Sequence, residues 1–330
     1  MIPTKTKNKR HSIFYIAIFL VIGFSVGFLS KSFLFSCNIS SFKYINTDLV
    51  CEKKEVVDKY AYATLKSDLE NYIQEKQKDK KITDISVYFR DLQNGPTLGI
   101  NEHALFSPTS LLKLPLLLTY HNLKNEQIPD LFDREIVAKT TWFVPEQIIL
   151  PKDPIILGNT YSIKILLEHM IKYSDNNAYY VLLSYLREIS PDRDLLQSTY
   201  VDLGIVDPKN FLDNTISVKA YGSIFVQLYN SSYFNKKDIS DEVLNLLTQA
   251  DWKDGINAGV PPYVTVAHKF GERANLDNNL DQLHDCGIVY YPKNPYLLCV
   301  MTRGSDFKEL SNTIKDISKM VYDEFDSRKL

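Results

Sequence analysis

Glycine and proline are scarce in this chain, 12 and 14 among 330 residues, and neither internal repeats nor low-complexity tracts occur, which excludes repeat and compositionally biased architectures. Four cysteines are too few for a disulfide framework. A formal net charge of −2 gives no footprint for nucleic acid and no preference for acidic substrates. There is no phosphate-cradling glycine loop and no nucleic-acid motif, and His103, His121, His169 and His284 lack metal-ligand spacing, so no metal or cofactor is implied. What the chain does have is apolar mass. Hydrophobic residues make up 45%, with Tyr 21 and Phe 17, enough for one large domain or two small ones.

The first segment reads as a membrane element. Lys5, Lys7, Lys9 and Arg10 precede an uncharged, almost wholly apolar run from Ser12 to Ser30, long enough to cross a bilayer as a helix. The basic flank places the remainder outside the cytoplasm. An uncleaved anchor is preferred to a cleaved signal peptide, because no small-x-small site follows cleanly. Leu34–Cys37 only faintly resembles a lipoprotein cleavage box. Residues 1–37 are therefore a basic tip and anchor of the cytoplasmic membrane, residues 38–54 a polar spacer in which Cys51 has no evident partner, and residues 55–330 one folded domain.

Within that domain the pattern changes twice. Val57, Ala61, Leu65, Leu69 and Ile73 recur at helical spacing and predict a helix over Glu55–Gln77. Ile85–Arg90 reads as a strand, Asn94-Gly95 as a hairpin turn, and Leu98–Ile100 as the return strand. From Leu111 to about Leu247 helical patterns dominate, with clear examples at Thr160–Tyr173, Asn177–Leu186 and Ser217–Tyr229. Beyond Gly259 the runs Tyr263–Phe270, Cys286–Tyr291 and Tyr296–Thr302 are β-like, and Phe307–Phe325 closes the chain with Leu310, Ile314, Ile317, Val321 and Phe325 on one helical face. The expected fold is α/β of the α+β kind: a five-stranded antiparallel sheet flanked by the terminal helices, with an inserted helical subdomain. Cys286 and Cys299 fall on neighbouring predicted strands and could approach each other; two unbridged core cysteines are preferred to a disulfide.

The stretch Phe106–Pro115 carries the first chemistry. Ser107 suits a helix N-cap and Pro108 the first helical position, which puts Ser110 in the first turn and Lys113 on the same face. Pro115 predicts a kink or tight first turn. A serine hydroxyl becomes a nucleophile once a base takes its proton, and a desolvated lysine amine can serve. Ser-x-x-Lys alone is weak, since Ser40–Lys43 matches it too. Two further motifs follow in order: Ser174-Asp175-Asn176 between helical stretches, and His268-Lys269-Phe270-Gly271 at the end of a predicted strand.

This ordered set resembles the active-site serine family of class A β-lactamases and penicillin-binding proteins, with its S-x-x-K, S-D-N and K-T-G motifs. The resemblance spans about residues 57–330 and implies a role for each position. Ser110 would be the nucleophile, Lys113 the base or proton relay, and Ser174 the donor to the leaving nitrogen. Asn176 would bind the substrate amide and Lys113, Asp175 would hold the turn, and Lys269 would face the substrate carboxylate. Gly271 would let the chain's own backbone approach the substrate closely. The oxyanion donors would be the backbone N–H groups of Ser110 and Glu272, with no part for the Glu272 side chain. Substrates would be β-lactams or the D-alanyl stem peptides of the cell wall, taken by a monomer.

Two departures stand out. Phe270 replaces the Thr or Ser whose hydroxyl helps bind the substrate carboxylate in that family; His268, Arg273 or Arg303 could compensate. The family's Glu-x-x-Leu-Asn pattern, source of the deacylating base, is missing between Leu186 and Thr215; Glu188 does not fit it, and Asp207 and Asp213 are poor substitutes. A β-lactamase-type hydrolase leads. A penicillin-binding D,D-peptidase or transpeptidase with slow deacylation, and a non-catalytic wall-binding sensor, are the alternatives.

Overall fold

The computed structural model describes residues 42–46, 61–93, 95–205, 215–274 and 280–328. The apolar run Ser12–Ser30, Cys37, Cys51, Asn94, Asp207 and Asp213 lie outside them. Among the described residues no helix is long and apolar enough to cross a membrane.

The domain opens with helix α1 (Ala63–Lys76), which buries Leu65, Leu69 and Ile73, and continues into strands β1 (Ile82–Asp91) and β2 (Thr97–Ile100). The insertion then holds α2 (Lys113–Glu126), a two-stranded ribbon of β3 (Glu135–Val137) and β4 (Thr160–Ser162), α3 (Ile163–Lys172), α4 (Asn176–Ile189), α5 (Leu195–Asp202), α6 (Val218–Tyr229) and α7 (Lys237–Leu247). The chain closes with β5 (Val266–Arg273), β6 (Asp281–Val289), β7 (Tyr296–Gly304) and α8 (Phe307–Arg328). The sheet runs β2-β1-β7-β6-β5 with every neighbouring pair antiparallel, as expected.

Alternation along the strands gives each face of the sheet its own core. Ile85, Val87 and Phe89 of β1 and Leu298 and Val300 of β7 join Leu69 of α1 and Leu310, Ile314, Ile317, Val321 and Phe325 of α8. Tyr88, Leu297, Cys299 and Met301 point the other way, into the larger core of the helical insertion. Full burial of each such side chain contributes about 1.5–3 kcal/mol, so the sheet is fixed from both sides and its C-terminal edge strand, β5, is held in place beside the insertion.

Three local expectations are corrected. Ser107 does not cap a helix; Thr109–Leu112 is a 3-10 turn and the α-helix starts at Lys113, because Thr109 takes a left-handed backbone (φ 51) that no continuous helix allows. Residues 42–46 are not free spacer: the backbone amides of Lys43 and Tyr44 donate to Asp241 Oδ1 at 3.0 and 2.6 Å, and that of Asn46 donates to the Tyr229 carbonyl at 2.7 Å. Cys286 and Cys299 are joined by a disulfide, since the β6–β7 register sets them directly opposite each other.

Candidate active site

The 3-10 turn is the tight first turn that Pro115 leads one to expect. It leaves Ser110 partly exposed at its tip while Leu111 is buried, its carbonyl accepting from the Tyr221 hydroxyl at 3.1 Å. Lys113 follows on the same face, and its Nζ donates to Ser110 Oγ at 2.9 Å. The ammonium is enclosed on its other sides, donating to Asn176 Oδ1 at 2.7 Å, to Ser174 Oγ at 3.2 Å and to the Ser174 carbonyl. Burial pushes the Lys113 amine down to about 7, against the pull of the Asp175 and Glu272 carboxylates.

Ser174 lies between α3 and α4 in a left-handed conformation (φ 54) that turns its side chain inward, where it is buried. Asp175 is the N-cap of α4: Oδ1 accepts from the Ala178 amide at 3.1 Å and Oδ2 from the Ile155 amide at 2.6 Å. It therefore holds the turn, as expected, and ties it to the long loop between β3 and β4. Asn176, first residue of α4, sends Oδ1 to Lys113 and Nδ2 to the Pro145 carbonyl at 2.9 Å.

Strand β5 supplies the other wall. Gly271 is required there, because a Cβ on it would stand 2.2 Å from Thr109 Oγ1 and 3.1 Å from the Leu111 amide nitrogen. That closeness brings the edge of β5 against the nucleophile turn. Lys269 is fully buried and donates to Ser174 Oγ at 2.8 Å and to the Phe270 carbonyl at 2.7 Å. Burial, then the neighbouring Lys113 charge, holds its amine well below the ordinary lysine range. Ser110, Lys113, Ser174, Asn176 and Lys269 thus form one connected hydrogen-bonded cluster, with Gly271 beside its nucleophile turn.

The substitution at Phe270 is accommodated behind the strand: its ring packs on Trp252 with centroids 4.8 Å apart. The three candidate compensators are engaged elsewhere. His268 is buried, with Nδ1 at 2.8 Å from Asp285 Oδ1 and Nε2 at 2.6 Å from Asn257 Nδ2. Arg273 donates to Ser107 Oγ at 3.3 Å. Arg303 donates to Asp84 Oδ2 at 3.3 Å and to the Leu105 carbonyl at 3.2 Å. His284 is a structural residue: Nε2 meets the Ser107 carbonyl at 3.0 Å, Nδ1 accepts from the Thr302 amide, and burial lowers it to about 4. Glu188 is exposed near the end of α4.

Two contributors escape sequence reasoning. Gln147, in the loop between β3 and β4, donates Nε2 to the Ser174 carbonyl at 3.0 Å and accepts the Asn176 amide at 2.9 Å. The Glu272 side chain, expected to have no part, accepts from the Ile148 amide at 2.9 Å in the same loop. Burial raises its carboxyl above the usual range, opposed by those backbone amides and by Lys113 and Lys269. Neither residue belongs to a short motif, so no local signal marks them.

Chemically the cluster offers a hydroxyl, an amine able to be neutral near pH 7, and a second hydroxyl shared by two lysines. The chain as a whole is similar to known proteins. A family model described as the beta-lactamase enzyme family covers residues 64–325. A β-lactamase of Bacteroides uniformis is 25% identical over 277 residues, 78% of this chain and 91% of that one. Among solved structures, a mutant of PBP-A captured as an acyl-enzyme with penicillin G superposes with a TM-score of 0.66 at 20% identity, over 80% of this chain and 97% of that one. The TLA-1 extended-spectrum β-lactamase does so at 0.64 and 20% identity, over 80% and 99%. A representative class A β-lactamase from Bacteroides cellulosilyticus does so at 0.63 and 22%, again over 80% and 99%.

Proposed function

The chain belongs to the beta-lactamase enzyme family, as a class A-like serine hydrolase, and from that premise we propose that Ser110 is acylated by β-lactams or D-alanyl wall peptides and that the ester is then hydrolysed. The observation that carries this is the unbroken series of hydrogen bonds from Ser110 through Lys113 and Ser174 to Lys269.

The neutral Lys113 amine takes the Ser110 proton as Oγ bonds to the substrate carbonyl carbon. The charge that develops on the carbonyl oxygen meets the backbone N–H groups of Ser110 and Glu272, the pair that the family resemblance implies; the close approach of β5 to the Ser110 turn at Gly271 supports this reading. Ser174, flanked by both lysines, passes a proton to the departing nitrogen as the C–N bond breaks, and is reprotonated from Lys113. The product of this half-reaction is the Ser110 ester. Asn176 aligns the substrate amide once the Pro145 carbonyl gives way.

A second reading is favoured by one feature of the sequence, the lack of Glu-x-x-Leu-Asn between Leu186 and Thr215. Without that glutamate the ester persists, as in a penicillin-binding D,D-peptidase. Mass spectrometry and antibiotic consumption after incubation with benzylpenicillin test the shared step: an adduct on Ser110, or hydrolysis of the antibiotic, that is lost in Ser110→Ala supports it, and a folded protein with neither refutes it. Nitrocefin then separates the readings, turnover within seconds marking a β-lactamase and an adduct stable for hours a peptidase. The apolar run Ser12–Ser30 supports anchoring in the cytoplasmic membrane with this site on the outer side, where both substrate classes are met.

A further inference from the structure

Glu272 places a carboxylate where the K-T-G pattern alone gives no reason for one. It follows Gly271 on β5, one residue past the close approach to the nucleophile turn. Its Oε1 is fixed by the Ile148 amide at 2.9 Å and, more loosely, by the Ile149 amide at 3.5 Å. A few residues earlier the same loop holds Asn176, whose Nδ2 donates to the Pro145 carbonyl at 2.9 Å. The carboxylate and the Asn176 amide are therefore attached to the same strip of loop. Both buried lysines act on it through their charge, but neither donates a hydrogen bond to it: Lys113 is held by Ser110, Ser174 and Asn176, and Lys269 by Ser174 and the Phe270 carbonyl. The third-motif hydroxyl that would favour an anion is also gone, replaced by a ring turned onto Trp252.

We propose that Glu272 is a specificity-determining residue, selecting acyl donors whose acyl side chain bears an ammonium group and disfavouring those that carry a carboxylate there. The inference rests on acylation of Ser110, with the substrate amide on Asn176 as described above. The acyl side chain then lies between Asn176 and the edge of β5, beside the Glu272 carboxylate. A charge fixed in a partly dehydrated wall acts more strongly than one in water, because less solvent screens it. An ammonium group finds Oε2, which accepts no hydrogen bond among the described residues, and a carboxylate meets repulsion from a group whose other oxygen is held by the Ile148 amide.

Three penicillins with one phenylacetyl scaffold provide the test, bearing an amino group, a hydrogen or a carboxyl group at the same side-chain carbon. Second-order rates of Ser110 adduct formation are measured by mass spectrometry on the full chain at about pH 6.5, below the ordinary α-amino range of about 7.7–8.0, so the amine is charged. The state of Lys113 is common to all three and cancels in the ratio. The expected order is amino, then hydrogen, then carboxyl, the extremes differing at least about tenfold, and Glu272→Gln brings them within about threefold. Glu272→Ser serves the same purpose if the glutamine protein fails to fold. Wild-type rates within about threefold of each other, or a ratio that survives removal of the charge, overturn the selection by Glu272. Absence of both adduct and hydrolysis with all three compounds on folded protein overturns the Ser110 reading itself, so the two failures are distinct.

Discussion

Lys113 and Lys269 converge on a single hydroxyl: Ser174 Oγ lies 3.2 Å from the first Nζ and 2.8 Å from the second. Both amines are shifted downward, chiefly by burial, and the Lys113 charge lowers Lys269 further. A proton lost by either is readily passed through the hydroxyl between them.

Acylation of Ser110 should consequently rise with pH through about 7, the value to which burial lowers Lys113, because only the neutral amine accepts the serine proton. Stability has the same sign. The folded-state value lies below the ordinary 10.5, so the stabilisation is complete above 10.5 and is lost as pH falls towards about 7. Lys113→Met should lower acylation by about 10²–10⁴-fold and make the rise of melting temperature with pH shallower, the remainder coming from Lys269, whose amine burial also lowers. Stopped-flow acylation and thermal melts at matched pH check both.

Gly271→Ala forces a methyl group to within 2.2 Å of Thr109 Oγ1. The edge of β5 must then move away from the nucleophile turn, at an expected cost of about 1–3 kcal/mol in stability and a larger loss in acylation. Adding Thr109→Gly removes the clashing oxygen and relieves a left-handed threonine, so the double variant should recover part of both. Denaturant melts and adduct rates on the two proteins decide whether the contact sets the geometry.

Gln147→Ala removes a donor to the Ser174 carbonyl and the acceptor of the Asn176 amide. Each lost bond of this kind costs about 0.5–1.5 kcal/mol of stability, so the melting temperature should fall by a few degrees, and acylation should fall roughly tenfold as Ser174 and Asn176 lose their support. Gln147→Glu keeps the acceptor and should restore less than half of the loss. A loss of stability in place of activity would show that the loop serves the fold alone.

Reduction of the Cys286–Cys299 bridge, which closes 13 residues between β6 and β7, should destabilise the domain. Loop-closure entropy puts the loss near 3 kcal/mol. The two strands stay paired on both sides, so the fold should survive. Urea melts with and without reductant, compared with the double serine variant, measure the difference.

The sequence was most legible where function depends on neighbours in the chain. Ser110 and Lys113 meet because a helical turn brings i and i+3 together, and Asp175 caps α4 because a carboxylate ahead of an apolar periodic run has few other uses. The order of strands and helices likewise followed from the change in apolar period, since each face of the sheet has a core to fill.

Distance in the chain hid the rest. Gln147 reaches Ser174, and the Glu272 carboxylate reaches Ile148, across gaps that no local spacing encodes. Cys286 and Cys299 become partners only through the β6–β7 register, where a slip of one residue would turn them to opposite faces. Phe270 reads as a defect in a motif until its ring is seen against Trp252. By itself the sequence determined which groups are present and which of them are local pairs. The tertiary structure alone decided which charge stands opposite which wall, because long-range packing and strand register set those distances.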